Sequence, residues 1–506
     1  MINHVIVVGG GSAGFLAAIS LKTRLPDLRV TVIRSKEIGI IGVGEGSTLA
    51  FPAYLHGHLR IDMGEFLRVA QPTWKLGLRF FEWGPRPFFD YTFAPNLQAR
   101  WNDLAKPIGF YCDDVYENSN LNSALCSHDR VFARGKQGEP LIHRDFGYHV
   151  ENVNFVTFLE SHAQRVGVVI QEDTIEHVEQ GERGVTNLRL KSGATASADL
   201  YVDCSGFVSL LLGKTLNERF ISFKPTLYCD RAIVGGWERA PADEPIRPYT
   251  TCQGMDAGWC WRIDHERRIN RGYVYSSAFI SDDDAGREFR QKNPKVGDTR
   301  IVHFVSGRYE RCWVRNVVAI GNATGFVEPL EATSLGAICD ESYMLGETLA
   351  ESDRNPNANL ADHYNRRSGV KWDYIRDFLS IHYRFNTRFE TPFWRECRDR
   401  VELCGAADIV EHFLENGPGY LYRQNTIDPR NQFGIEGYLQ LLVGMKVPYR
   451  ARYKPTEREA RLWEEIRAHL NSQAASGFTI PEALQLVRAP TWQWNPDFFR
   501  RSYLLA

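Results

Sequence analysis

The stretch HVIVVGGGSAGFLAAISLK, residues 4–22, constrains the fold more than any other part of the chain. A short Val/Ile run leads into a glycine turn and then an Ala/Leu-rich segment, which reads as strand, turn and helix. Gly9, Gly11 and Gly14 fit the G-x-G-x-x-G spacing, with Ser12 and Ala13 between the last two. Each glycine has a physical reason to be there. Gly9 permits the tight turn, Gly11 lets backbone approach a pyrophosphate, and Gly14 lets helix pack on strand. The helix start then faces the phosphates with free amide groups. A second strand, RVTVIRS, follows at once, so the N-terminus predicts a Rossmann-type dinucleotide unit. An acid normally closes that second strand and holds the adenine ribose, but Arg34 stands there, and Glu37 is the nearest substitute. An arginine in this place would also suit a 2′-phosphate. No second copy of the glycine pattern occurs, so one dinucleotide is expected.

The 506 residues, 43% of them hydrophobic, are enough for a large core and two or three modules. With 60 basic against 62 acidic residues the formal charge is −2, and no basic block stands out. That balance argues against nucleic acid as a partner and favours a small ligand. No apolar run approaches the roughly 20 residues of a membrane span, and Met1 leads within a few residues into a strand, so no membrane association and a cytoplasmic location are expected. Ten cysteines without a C-x-x-C pair suggest buried free thiols and no metal.

Three further stretches carry glycine where a ligand-contacting loop needs it. IIGVGEGST (40–48) reads as a strap, with Gly42, Gly44 and Glu45 as candidate cofactor contacts. ADLYVDCSGF (198–207) and RNVVAIGNATGFVEPLEATSLGA (315–337) each read as a buried strand running into a polar turn, the second offering Gly321 and Asn322. Late strand-turn units combined with an N-terminal Rossmann unit point to an α/β fold of the flavin monooxygenase-like kind. PTWKLG (72–77) raises a separate question, because Lys75 lies beside Trp74 and ahead of Leu78, Phe80 and Phe81. Strand alternation places Leu76, Leu78 and Phe80 on one face and Lys75, Gly77 and Arg79 on the other. An amine among aromatic residues has its charged form disfavoured, and Gly77 would leave room beside it.

Taken together, GGGSAG, GVGEGST, PTWKLG, YHVENVNFVTFLE, GWCWRI, GNATGFVEPLEAT and HYRFNTRFETPFW resemble flavin-dependent halogenases of the tryptophan halogenase type. The resemblance covers most of the chain. It implies FADH2 supplied by a separate NAD(P)H-dependent flavin reductase, oxygen, and a halide that becomes hypohalous acid and crosses a tunnel to an aromatic substrate. It implies that Lys75 forms a haloamine or holds hypohalous acid by hydrogen bonding, and that Glu331 polarises the halogenating species or removes the proton from the arenium intermediate. The amides of Thr333 and Ser334 match the family's halide site. Trp259 and Trp261, at i and i+2 of a strand, match a wall that keeps substrate from the flavin. Read without the resemblance, Pro329 marks a helix start with Glu331 in its first turn, where an acid is a common cap. Glu328 reads as an ordinary acid of that helix start. This chain departs from the family pattern in having Asp264 for the proline of W-x-W-x-I-P, Ala332 for a serine, and Ser334 for a glycine.

The expected organisation is a discontinuous FAD module over 1–80, 145–215 and 300–352, substrate-covering segments over 81–144 and 216–299, and a mostly helical region over 353–506. The expected function is halogenation of an electron-rich arene, an indole or tryptophan-like compound, with chloride or bromide. A hydroxylating flavin monooxygenase and a catalytically silent flavin-binding protein are the alternatives. Substrate selection is expected from loops near 85–125 and 415–440, and a homodimer is compatible with the sequence.

Overall fold

The computed structural model describes residues 1–39, 42, 44–93, 104, 109–112, 117–240, 244–419, 427–451 and 453–499. Part of the strap (Ile40, Ile41, Val43) and parts of the two expected substrate loops (94–103, 105–108, 113–116 and 420–426) lie outside the described residues.

Strand His4–Val8 is a nearly unbroken buried Val/Ile run, as a strand covered on both faces requires. It occupies the middle of a six-stranded sheet in the order 169–172, 29–34, 4–8, 200–203, 317–319, 313–314. The first five strands are parallel, and Trp313–Val314 closes the edge as an antiparallel hairpin. Helix Ser12–Arg24 stops just before Pro26, which cannot continue it. It packs on helix Ser334–Glu351 and on Asn152–Arg165, so the GNATG segment and the glycine turn converge at the carboxyl ends of the parallel strands.

A seven-stranded sheet stands beside this module, in the order 300–303, 231–238, 268–275, 258–264, 249–255, 77–81, 88–92. Only the pairing of Tyr249–Met255 with Gly77–Phe81 is parallel. One face carries Trp259, Trp261 and Ile263 into a core shared with the C-terminal helices. A small three-stranded sheet of Glu45–Gly46, Gly147–Val150 and Thr73–Lys75 joins the strap to the PTWKLG segment. The strand alternation read from Lys75 to Phe80 therefore spans two strands, Thr73–Lys75 and Gly77–Phe81. Leu76 is the crossing point, donating its amide to the Pro248 carbonyl at 2.7 Å and accepting from Phe93 at 2.9 Å.

The C-terminal part is helical, as its periodicity predicts. Helix Ala358–Arg384, capped by Asn357 with Leu360 as donor, carries Phe378, His382 and Tyr383 inward; Glu457–Ala475 begins with a Thr456/Glu459 capping box. All ten cysteines are free and nine are buried, Cys404 being exposed. Among the described residues no helix is long and apolar enough to cross a membrane, and no group of side chains is arranged to hold a metal ion.

Candidate active site

The glycine turn has the geometry its spacing predicts. Gly9 has a φ of +113°, and a Cβ there would lie 2.4 Å from the Cys204 carbonyl oxygen. At Gly14 a Cβ would lie 1.9 Å from the Gly9 carbonyl oxygen, so helix and turn can approach only without a side chain. At Gly11 a Cβ would meet no atom within 4 Å. That is the open seat a pyrophosphate needs, and no acidic residue stands in the first helical turn to repel it. Ser12 and Ala13, the first two helical residues, are partly exposed beside it. Arg34 is not free for a 2′-phosphate: its guanidinium is paired to Glu160 at 2.6 Å and Glu172 at 2.9 Å. Glu37 lies on the surface, paired with Lys191 at 2.5 Å.

A cavity of about 150 Å³ lies between the strap and the GNATG segment. Gly42, Gly44, Glu45 and Gly46 line one side, and Asn322, Ala332 and Ser334 the other. Asn152 holds the strap through the Gly44 amide at 2.8 Å and the Glu45 carboxyl, and burial raises the Glu45 carboxyl above its ordinary range. Gly321, with φ +67°, donates its amide to the Glu341 carboxylate at 2.7 Å. The glycine-lined walls, the open Gly11 seat and the helix amides fit a flavin dinucleotide. A larger groove of about 630 Å³, at the outer edge of the six-stranded sheet, is lined by none of the site residues expected from the sequence.

Lys75 is fully buried, with its Nζ 5.3 Å from the centre of the Phe93 ring. Among the described residues the amine has no hydrogen-bond partner. Burial pulls its pKa down to about 8, against the opposing pull of Glu331 and Cys252. The small neighbour that leaves space beside the amine is Gly46, not Gly77. A methyl on Gly46 would lie 3.3 Å from Lys75 Nζ and 3.3 Å from the Ala332 methyl. Gly77 serves a different purpose, since a methyl there would lie 2.3 Å from the Tyr91 carbonyl oxygen of the neighbouring strand.

The segment after Phe326 also differs from its sequence reading. The helix begins at Ser334 rather than at Pro329, because residues 329–332 form a tight turn closed by the Ala332 amide on the Pro329 carbonyl at 3.1 Å. Ala332 takes a left-handed φ of +53°, an uncommon conformation for a residue with a side chain. Glu331, only 2% exposed, is therefore no first-turn cap. It meets His382 Nε2 at 2.8 Å, while His382 Nδ1 lies 3.2 Å from the Phe378 carbonyl oxygen. Both ring nitrogens thus face acceptors, and a proton must lie between Glu331 and the ring for the contacts to be favourable. Thr333 caps the helix at Ser334 without a side-chain bond, and Ser334 lines the 150 Å³ cavity.

Glu328 is no helix-start acid either. It is fully buried, accepts from Trp259 Nε1 at 2.9 Å and from the Tyr383 hydroxyl, and burial pushes its pKa up to about 7. Trp259 and Trp261 lie on one face of strand Gly258–Asp264 with ring centres 6.0 Å apart, Trp261 lining the same 150 Å³ cavity. Two parallel couples result: Glu328 with Tyr383, and Glu331 with His382. His382 and Tyr383 belong to the motif HYRFNTRFETPFW, but no role for them follows from the sequence. The available signal is a histidine four residues after Phe378 on a helix face that is otherwise apolar.

The sequence signature of tryptophan halogenases matches residues 4–460. A tryptophan 7-halogenase from Kutzneria sp. (strain 744) is 31% identical over 459 residues, covering 86% of this chain and 85% of that protein. Among solved structures, MibH, a lanthipeptide tryptophan 5-halogenase, superposes with a TM-score of 0.88 at 36% identity, covering 97% of this chain and 94% of that one. BrvH, a flavin-dependent halogenase from Brevundimonas sp. BAL3, gives a TM-score of 0.79 at 28% identity, with 97% and 100% covered. The glycine turn, the strap, the buried lysine and the PLE turn all fall within one continuous match of this extent, and the chain belongs to the tryptophan halogenase family.

Proposed function

We propose that the chain is an FADH2-dependent halogenase acting with chloride or bromide on an indole-bearing substrate, tryptophan free or held in a peptide. The observation that carries this is the partnerless, buried Lys75 amine beside Gly46 and within electrostatic reach of Glu331. An uncompensated buried cation costs stability and calls for a functional reason. Gly9, Gly11, Ser12, Ala13 and Gly14 hold the dinucleotide phosphates, and Gly42, Gly44, Glu45, Gly321 and Asn322 frame the flavin ring. We take 1–80, 145–215 and 300–352 as the module that binds it. When bound and reduced, the flavin supplies with oxygen the oxidising equivalents that turn halide into hypohalous acid.

The chain's own residues do the rest. The amides of Thr333 and Ser334 bind halide at the helix start. Trp259 and Trp261 keep the arene away from the flavin, and the Glu328 carboxyl fixes the Trp259 indole through its N–H. Lys75 receives the halogen as a haloamine or holds hypohalous acid by hydrogen bonding. Glu331, positioned by His382, takes the proton released when the ring regains aromaticity. A separate NAD(P)H-dependent flavin reductase delivers FADH2. Support comes from the relatives, which are named as tryptophan halogenases.

The test supplies the purified chain with a flavin reductase, NADH, FAD, chloride or bromide, and a panel of indoles, phenols and tryptophan-containing peptides. The expected product shows the halogen isotope pattern by mass spectrometry and requires halide. Hydroxylated product without halogen would mean a monooxygenase, and halide-independent flavin oxidation with no product would mean a silent flavoprotein.

A further inference from the structure

The seven-stranded sheet has a second face, turned away from Trp259 and Trp261, and on it lies a cavity of about 680 Å³. Its floor is a row of residues in register across neighbouring strands: Thr251 is opposite Arg262, and Arg262 is opposite Arg271. Like charges placed directly across an antiparallel pair repel, so this arrangement is unfavourable unless something negative lies over it. Asp264, the residue that stands in place of the family's proline, pairs with Arg262 at 2.9 Å and is itself 1% exposed. It neutralises one of the two arginines.

Arg271 has no such partner. It is 5% exposed and lines the cavity, and its Nε has no hydrogen-bond acceptor among the described residues. Among the described residues its one side-chain hydrogen bond is a long one, Nη2 to Gln253 Oε1 at 3.4 Å. Arg247 and Arg388 also line the cavity, and among the described residues no ion pair is formed by either. Lys292 lies 3.8 Å from Glu82, and Lys295 lies 3.0 Å from Glu244. The lining thus carries six cationic side chains and two carboxylates; with Arg262 paired to Asp264 and the two lysines near glutamates, Arg247, Arg271 and Arg388 are the three left without an ion pair among the described residues. The arginines feel one another: burial first, then Arg247 and Arg271, lower the pKa of Arg262 even with Asp264 in contact. Trp237 and Tyr249 supply flat aromatic surface at the wall.

We infer that this cavity, formed on the outer face of the seven-stranded sheet around Arg247, Arg262 and Arg271, binds a phosphorylated small molecule. Guanidinium groups pair with phosphate oxygens through two parallel N–H bonds, and several of them suit a diphosphate better than a single carboxylate. The volume exceeds what one inorganic phosphate fills, and the aromatic wall suits a flat ring attached to the phosphates. The site is separate from the flavin cavity, since no residue lines both. It would bind its ligand whatever chemistry the flavin cavity performs.

The test uses the full chain saturated with FAD, so that the flavin phosphate seat is filled, and titrates it calorimetrically with inorganic pyrophosphate, ADP and tricarballylate. The expected result is one additional site for pyrophosphate and ADP, weakened at least tenfold by Arg271→Met, with FAD affinity and flavin oxidation unchanged. If Arg271→Met fails to fold, the rim pair Arg247→Ala with Arg388→Ala takes its place and is expected to weaken binding by a similar factor. No added heat with millimolar pyrophosphate, tricarballylate binding more tightly than pyrophosphate, or equal affinity in wild type and variants would each overturn the proposal.

Discussion

Replacing Lys75 by methionine is expected to stabilise the protein and abolish arene halogenation at once. Methionine is unbranched and fills the stem's volume without a charge. The amine titrates at about 8 in the folded chain against 10.5 ordinarily, so holding it charged near neutral pH costs the folded state about 3 kcal/mol. The sign follows from proton counting. Between these two values the unfolded chain binds more protons, so this group's penalty is full below about pH 8 and is relieved as pH rises toward 10.5. Urea unfolding near pH 7 should show the variant more stable by up to about 3 kcal/mol, and near pH 9 that advantage should shrink by roughly 1 kcal/mol. Other titrating groups cancel in the difference between the two proteins. In parallel, flavin binding and oxygen consumption should stay near wild type while halogenated product disappears. A variant that is less stable than wild type, with no pH dependence in the difference, would show that the amine is not held charged against burial. Wild-type halogenation in the presence of hypohalous acid scavengers would refute the delivery role.

Glu331→Gln keeps the shape but removes a base, and halogenation should fall by roughly 10²-fold with flavin oxidation intact; steady-state product formation by mass spectrometry decides it. Gly46→Ala places a methyl 3.3 Å from Lys75 Nζ in backbone that is not left-handed, so halogenation should drop about tenfold, with little loss of thermal stability beyond the ~1 to 3 kcal/mol of overpacking. Gly11→Val should leave the melting temperature of the flavin-free protein unchanged, because no protein atom lies within 4 Å of the new Cβ. Its FAD affinity, read by fluorescence quenching, should weaken more than tenfold as the side chain blocks the phosphate seat.

Short-range spacing determines what can be read from the sequence. Gly9 and Gly14 make the tight turn and the close helix approach that their positions require, Gly11 leaves its seat open, and the tryptophan pair shares a strand face because alternation demands it. What cannot be read depends on strands and helices far apart in the chain. Alternation along one strand matches Gly77 to Lys75, but the chain changes sheets at Leu76, and the open neighbour comes from the strap, well before PTWKLG in the chain. Pro329 carries a helix-start signal, yet the Ala332 turn delays the helix to Ser334. Glu328 looks like a solvated cap because nothing nearby in sequence shows that Trp259 and Tyr383 close over it. The His382 contact to Glu331 joins residues 51 positions apart, beyond the reach of any local pattern.

The crossing at Leu76 separates two properties that an enzyme engineer would wish to vary independently. Lys75 ends a strand bonded to Gly147–Val150, and Gly77 begins one bonded to Tyr249–Met255 and Phe88–Thr92. The amine is thus pinned on both sides by backbone ladders in unrelated sheets, and inserting or deleting one residue between 72 and 77 would turn every following side chain to the opposite face. Length variation is tolerated instead in surface connections, which carry no ladder. If the proposed function holds, changing surface connections would leave the amine where the two ladders hold it, so loop exchange and amine position can be varied separately.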